Sequence, residues 1–335
     1  MRLTYLDEVG SIVYHYTDTQ AYASIVEKAA LWATDFRYLN DSRELRYAWN
    51  PFVAKLRRLS KEPGEYSEAY KAQLKALELM NMADLMKFDD SMFVACFTEL
   101  RDAVSQWSRY GANGHGIALG FDSEAIRAVN VPYFHHNPKG QLTAMTALTA
   151  VSDYNYERQP FTWNGYLQAV GYGDEHRDGV VDDLIEHVET IGEKNGVGSF
   201  NLKVGNSVFQ THALVHRLPL VKDAAFEDEQ EHRITITEHF GGRSLMQFKA
   251  LSTLDAPFSD FAQGALETLD VRFRPGGPTM FKPYVVLPFD HAALVEVVTG
   301  PAIKHQLVEA TVRRMLDRNG FRDTEIEASG LPYQT

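Results

Sequence analysis

With a single cysteine, Cys96, in 335 residues, the chain can form no intramolecular disulfide and no four-cysteine zinc site. The opening residues lack the basic start, apolar middle and small-residue end of a signal peptide. No run of about 18 apolar residues offers a membrane span. A soluble cytoplasmic protein is therefore expected. Positive charge is also short: 33 Lys and Arg stand against 45 Asp and Glu, a formal net charge of −12. That balance argues against a broad salt-driven nucleic-acid surface and leaves room only for a local basic groove. Neither a phosphate-loop spacing nor a GxGxxG occurs, and there is no HExxH. His135, His136 and His176 have no carboxylate at recognised ligand spacing, and the pair His212 and His216 sits on an apolar-sided helical pattern. No metal site is expected. Internal repeats and low-complexity tracts are missing too.

What is present suffices for a substantial core: 44 % hydrophobic residues, with 16 Tyr and 19 Phe to furnish stacking surfaces. SIVYHY (11–16) reads as a strand ending in His15-Tyr16-Thr17, followed by a helix capped at Asp18 or Thr19 and running through Lys28. LWAT (31–34) reads as a second strand. A helix then begins near Arg43, capped by Asp41 or Ser42; Asn40, Asp41 and Glu44 cluster at its start, either as ordinary first-turn acids or as part of a site. Residues 51–90 form a helical insertion, a hairpin broken near Pro63-Gly64. MFVACFTE and HGIALGF read as buried strands, and between them Trp107, Arg109 and Tyr110 precede a turn loosened by Gly111, Gly114 and Gly116. Those three side chains suit a platform for a flat ring and a phosphate, or else a core Trp with a surface Arg. Residues 131–200 read as an irregular insertion carrying an acidic helix over 180–194. FKPYVVLPF and ALVEVVTGP are late strands, and a helix over 303–318 leads to a last strand. Scattered short strands without βαβ alternation imply one α+β domain over 1–335, with a mixed, mostly antiparallel central sheet and flanking and inserted helices.

The stretch KDAAFEDEQEHRITIT (222–237) holds the densest chemistry. Its alternating end reads as a half-buried strand with Ile234 and Ile236 inward. If the strand reaches back to Glu229, then Glu229, Glu231 and Arg233 share one face. If 226–233 is a helical turn, Glu229 and Arg233 are i,i+4 neighbours. Lys222 is close enough in sequence to pair with Glu227 or Glu229. Two adjacent carboxylates push one pKa up while an arginine holds the other ionised, which suits a site that stabilises a cation or takes a proton. The plainer alternative is a solvated acidic turn with an ion pair.

The order HYT, LWAT, LNDSRE, CFTE, WSRYG, GHGIALGF, then K-x3-FEDEQEHR and VEVVTGP, resembles a bacterial and phage family catalogued as domain of unknown function two-nine-seven-one, over about 15–331. A looser likeness is to ADP-ribosyltransferases, which place a His at the end of a first strand and a late Glu-x-Glu at the start of another. That resemblance implies NAD as substrate, His15 on the ribose, Glu231 as the catalytic acid and Glu229 orienting the acceptor. It also implies an aromatic clamp, for which Tyr16, Trp107 and Tyr110 are eligible, with Arg109 beside them and Arg233 holding the acid.

The leading expectation is an NAD-cleaving ADP-ribosyltransferase-like enzyme. Its acceptor would be a protein, a nucleic-acid base or water, and a phage-defence or toxin role comes by association. A second expectation is a non-catalytic module recognising a nucleotide or a phage component. A third is a nuclease or glycosidase using Glu229 and Glu231 with Asp41 or Glu44.

Overall fold

The structure, a computed structural model, describes residues 10–39, 44–79, 92–132, 134–136, 142–144, 146–152, 155–160, 162–195, 217–237, 269–276 and 280–332. Strand β1 (Ile12–Thr17) runs into helix α1 (Thr19–Lys28), whose first turn is capped by Asp18 Oδ1 accepting from the Ala21 N–H at 2.7 Å. Ala29, in the left-handed region, stops that helix and turns the chain into β2 (Ala30–Asp35). Helix α2 (Glu44–Leu59) buries Leu45, Ala48, Trp49, Phe52 and Leu56, one stripe at helical spacing. It is followed after the break at Pro63-Gly64 by α3 (Ser67–Leu79). Residues 40–43, including Asn40 and Asp41, lie outside the described residues, as do His212 and His216.

The centre of the molecule is β3 (Met92–Thr98), buried along its length apart from the half-buried Cys96. After it come the short helix α4 (Val104–Arg109) and β4 (Ile117–Asp122). The stretch expected to be irregular is instead largely strand: β5 (Ala128–Pro132), two hairpins formed by β6 (Phe134–His136) with β7 (Leu142–Ala144) and β8 (Thr146–Ser152) with β9 (Asn155–Pro160), then β10 (Thr162–Ala169) and β11 (Gly171–Tyr172). Its short strands FHH and NYERQP show no apolar–polar alternation in sequence. Helix α5 (Gly173–Asn195) starts earlier than its apolar pattern suggests, because its first turn is acidic rather than hydrophobic. The chain closes through β12 (Val221–Lys222), β13 (Glu231–Thr237), β14 (Arg272–Pro275), β15 (Phe281–Pro288), β16 (Leu294–Thr299), α6 (His305–Arg318) and β17 (Glu325–Ala328).

The main sheet runs β14-β15-β2-β3-β1-β4-β16-β17, and β13 and then β10 and β5 continue from the other edge of β3. Every pair in it is antiparallel except β16–β17, so the architecture is the expected mixed, mostly antiparallel sheet with helices around it. One face packs a large apolar core containing Phe93, Ala95, Phe97, Ile234 and Ile236. The opposite face is covered by α2, α3 and α5 around Trp49, Phe52, Leu56 and Leu184.

Beside β3 the sheet is split. Along one edge β3 pairs continuously with β13, from Met92↔Thr237 to Thr98↔Glu231. Along the other, β2 takes only Phe93 and Val94, and β1 meets β3 at Thr98. Ala95, Cys96 and Phe97 therefore face an opening between β1 and β2. A strand edge with free carbonyls must find other donors, and His15 supplies one: its Nδ1 lies 2.9 Å from the Cys96 carbonyl oxygen.

Gly116 holds the far end of β1 against the start of β4, and Gly300 holds the end of β16 against the turn before β4. A Cβ on Gly116 would stand 2.2 Å from the Thr17 carbonyl oxygen, and one on Gly300 would stand 2.3 Å from that of Gly114. Both clashes are with backbone, so Gly116→Ala is expected to lower stability by about 1–3 kcal/mol. Urea denaturation of the variant measures this, and an unchanged midpoint would show that the turn yields freely.

Candidate functional site

The split opens into a pocket of about 290 Å³, and strand registers explain which residues meet there. Residues opposite one another on antiparallel strands share a face, as do residues two apart. Arg274 lies opposite Lys282, Tyr284 opposite Thr34, Thr34 opposite Val94, Cys96 opposite Arg233 and Thr98 opposite both Glu231 and Tyr14. All of these side chains consequently project from one face, the face away from Phe93, Ala95 and Phe97. The pocket is lined at one end by Glu229, Glu231, Glu44, Lys222, Arg233 and Tyr110 and at the other by Trp32, Thr34, Arg274 and Lys282. By alternation His15 belongs to the opposite face, its ring 5.9 Å from that of Phe97, and it reaches the pocket only because the sheet is open beside it.

Glu229 and Glu231 do not share a strand. Residues 224–229 form a 3-10 helix capped by Asp223, whose Oδ1 accepts from the Ala225 N–H at 3.0 Å. Gln230 takes a left-handed conformation (φ 42°), and β13 begins one residue later. The kink lets two acids separated by one residue point at a common cation. Lys222 Nζ lies 2.7 Å from Glu229, 2.6 Å from Glu231 and 3.1 Å from Glu44 at the start of α2. The Glu229 carbonyl is held by the Thr98 hydroxyl at 2.6 Å, and the Glu231 N–H donates to the Tyr172 hydroxyl at 2.7 Å. The expected sharing of a face by Glu231 and Arg233 does occur. Arg233 Nε donates to Glu231 Oε1 at 2.8 Å, Nη2 to Glu231 Oε2 and to Glu44 Oε2 at 2.9 Å each, and Nη1 to the Pro219 carbonyl at 2.6 Å.

This is not a solvated turn. Glu229, Glu231, Lys222 and Arg233 are exposed by only 3, 7, 4 and 1 %. Burial pushes the Glu231 carboxyl upward, but Arg233 and then Lys222 outweigh it and draw its pKa down to about 2. Glu231 is thus a permanent carboxylate. Burial presses Lys222 the other way, and Glu231 together with Glu44 and Glu229 overcomes it, so its ammonium is held charged. The Cys96 thiol, raised by burial and then by Glu231, stays protonated beside that acid. His15 is lowered by burial and is neutral; its Nδ1 donates to the Cys96 carbonyl, which leaves Nε2 as an acceptor for a ligand hydroxyl.

The other sequence candidates divide. Tyr110 donates to Glu229 Oε1 at 3.1 Å and lines the pocket. Tyr16 lines it as well, but its hydroxyl is committed to the Leu100 carbonyl at 2.8 Å. Arg109 sits behind the pocket, 2.9 Å from Glu229, as an outer clamp on that acid. Trp107 is fully buried, donates its indole N–H to Asp102 at 2.6 Å and packs edge-on against Tyr16 at 4.7 Å. It supports the pocket from beneath and is no part of a clamp. Glu44, left open between helix capping and a site, joins the site. Sequence reasoning missed Trp32, Arg274 and Lys282. Their signal was faint: LWAT looked like plain core strand, and the basic residues of RFRPGGPTMFK are ordinary for a surface hairpin.

Among the described residues no group of three or more His, Cys, Asp or Glu could hold a metal ion, and no helix is long and apolar enough to cross a membrane. Where three carboxylates do converge, the Lys222 ammonium occupies the place a cation would take. No curated protein and no solved structure matches the chain. Over residues 106–234, which begin within α4 and include Lys222 and all of Glu229–Arg233, the chain matches the family described as Protein of unknown function (DUF2971).

Proposed function

We propose that the pocket binds a nucleotide and that the protein cleaves NAD, releasing nicotinamide and passing ADP-ribose to a macromolecular acceptor or to water. What supports this reading is one convergence: His15, Tyr110 and the pair Glu229 and Glu231, drawn from three separate segments, line one pocket whose opposite end is cationic. In the proposed reaction the C1′–N bond of the nicotinamide ribose breaks and its electron pair leaves on the neutral nicotinamide. The ribose carbon becomes cation-like, and a preorganised carboxylate stabilises it. Glu231 is such a group, since Arg233 and Lys222 fix both its geometry and its charge. His15 Nε2 accepts a ribose hydroxyl, and Glu229 receives the proton that the acceptor loses as it attacks C1′.

The same geometry counts against Glu231 as the proton donor of a two-carboxylate glycosidase. Such chemistry needs one carboxyl protonated near neutral pH, whereas Glu231 is held ionised by Arg233 and Lys222. A pure recognition module is favoured by one observation, that both oxygens of Glu231 already receive N–H donors.

Nicotinamide release from NAD by the purified full chain separates the two readings. Wild type is expected to release nicotinamide, Glu231→Gln to lose roughly 10²–10³-fold in kcat, and His15→Ala to raise KM. NAD binding without turnover, unaffected by Glu231→Gln, would replace the enzyme with the module. Failure to bind NAD at all would remove both nucleotide readings of this ligand.

A further inference from the structure

At the end of the pocket away from the glutamates stands an arginine without an acidic partner among the described residues. Arg274 is partly buried on β14, its Nε is shielded from solvent with no hydrogen-bond partner, and its Nη2 donates to the Thr34 hydroxyl at 2.8 Å. Its guanidinium lies over the Trp32 ring, 5.2 Å from the centroid. Trp32 is in turn backed by Tyr284 at 4.9 Å and by Lys28, so the indole acts as a seat for the guanidinium. Asp18 acts on Arg274 only from beyond ion-pairing distance, and burial lowers the pKa of the guanidinium, as expected for a cation whose desolvation is not offset. Lys282, directly across the hairpin, lines the same pocket and has no ion pair among the described residues.

The contrast with the rest of the chain is sharp. Among the described residues, every other arginine that is buried or half-buried (Arg37, Arg101, Arg177, Arg217, Arg233 and Arg313) faces a carboxylate, and the arginines that face none, such as Arg46, Arg57 and Arg322, are exposed to water. In a protein with a net charge of −12, two adjacent cations left without acids in a cavity mark a place for an anion from outside. The donor set is specific as well: an arginine fork and a lysine ammonium offer only hydrogens, and the O–H of Thr34, whose oxygen accepts from Arg274, adds another. That suits a group with several acceptor oxygens, above all phosphate.

We propose that Arg274 and Lys282, with Thr34, form a subsite for the pyrophosphate of the ligand, with its sugar extended through the split toward His15 and Glu231. This inference rests on the nucleotide reading of the same pocket and names the part of the ligand that anchors it. The hairpin β14–β15 is then a binding element.

Titration calorimetry of the full chain with inorganic pyrophosphate, at fixed ionic strength, tests it. Wild type is expected to bind pyrophosphate more tightly than orthophosphate, because two facing cations span two phosphoryl groups. Arg274→Gln and Lys282→Gln should each weaken pyrophosphate roughly ten- to a hundred-fold, the loss expected for one charge-assisted contact, and Arg274→Lys should restore part of it. Should Arg274→Gln unfold, Lys282→Gln reads the same loss, since Lys282 lines the same pocket without an ion pair among the described residues. No pyrophosphate binding by wild type, or equal binding by both variants, overturns the subsite. Pyrophosphate binding that the variants lose, without nicotinamide release from NAD, keeps the subsite and sinks NAD cleavage. Nicotinamide release with unaltered KM in both variants does the reverse.

Discussion

Arg233→Met is expected to lower the unfolding free energy by about 3–5 kcal/mol, the usual cost of removing one partner from a buried ionic group. The side chain is 1 % exposed and donates to Glu231, Glu44 and the Pro219 carbonyl. Its loss leaves two buried carboxylates with Lys222 as their shared counter-charge and strands the carbonyl before β12. Arg233→Lys keeps the charge but loses the fork, and should recover only a minor part. Adding Glu231→Gln to Arg233→Met removes one of the stranded charges, so the double variant should be less destabilised than the sum of the singles. Chemical denaturation of the four proteins measures the cycle. Strict additivity would mean that the two side chains act independently, contrary to their 2.8 Å contact.

Acid should unfold the protein by the same route. Folded Glu231 titrates near pH 2 against an ordinary value of 4.5. Between those values the unfolded chain binds a proton that the folded chain does not, so stability rises with pH there. The contribution is complete above pH 4.5 and is lost as the pH falls toward 2, amounting to about 3 kcal/mol at about 1.4 kcal/mol per unit. His15 and His232, both lowered by burial from an ordinary 6.5, add an earlier decline of the same sign below that value. Urea midpoints between pH 7 and pH 3, for wild type and Glu231→Gln, separate the contributions. The variant should lose the steep segment below pH 4.5 and keep the shallower one above it. An identical acid slope in both proteins would assign the loss to other carboxylates.

Much of the architecture was legible because periodicity reports burial. The runs IVYHYT, MFVACFT and IALGFD could pack only as strands, and the stripe of Leu45, Trp49, Phe52 and Leu56 only as a helix face. The ribbons between β5 and β10 escaped notice because strands such as FHH and NYERQP carry no such signal. At the site, the i,i+2 relation correctly joined Glu231 to Arg233, since strand geometry fixes it locally. The left-handed Gln230 was not legible, because a glutamine carries no mark of that conformation, and the kink it makes decides where Glu229 points. Arg274 and Lys282 were invisible for a different reason. Their meeting with Glu231 depends on registers across four strand pairs, which no local window of sequence contains.

Those registers also bear on how the molecule is assembled in time. Strand β3 is made early, yet one of its edges waits for β13 and the neighbouring β2 waits for β15. Pairings so distant along the chain close slowly, because the loop entropy is spent before the contacts repay it. When α1, α2, α3 and β3 have left the ribosome, Cys96 and Thr34 have yet to meet their partners on β13 and β15. The cavity comes into being only when the hairpin carrying Arg274 and Lys282 docks against β2, so a chain interrupted before that hairpin has the glutamates but no pocket to hold a ligand against them.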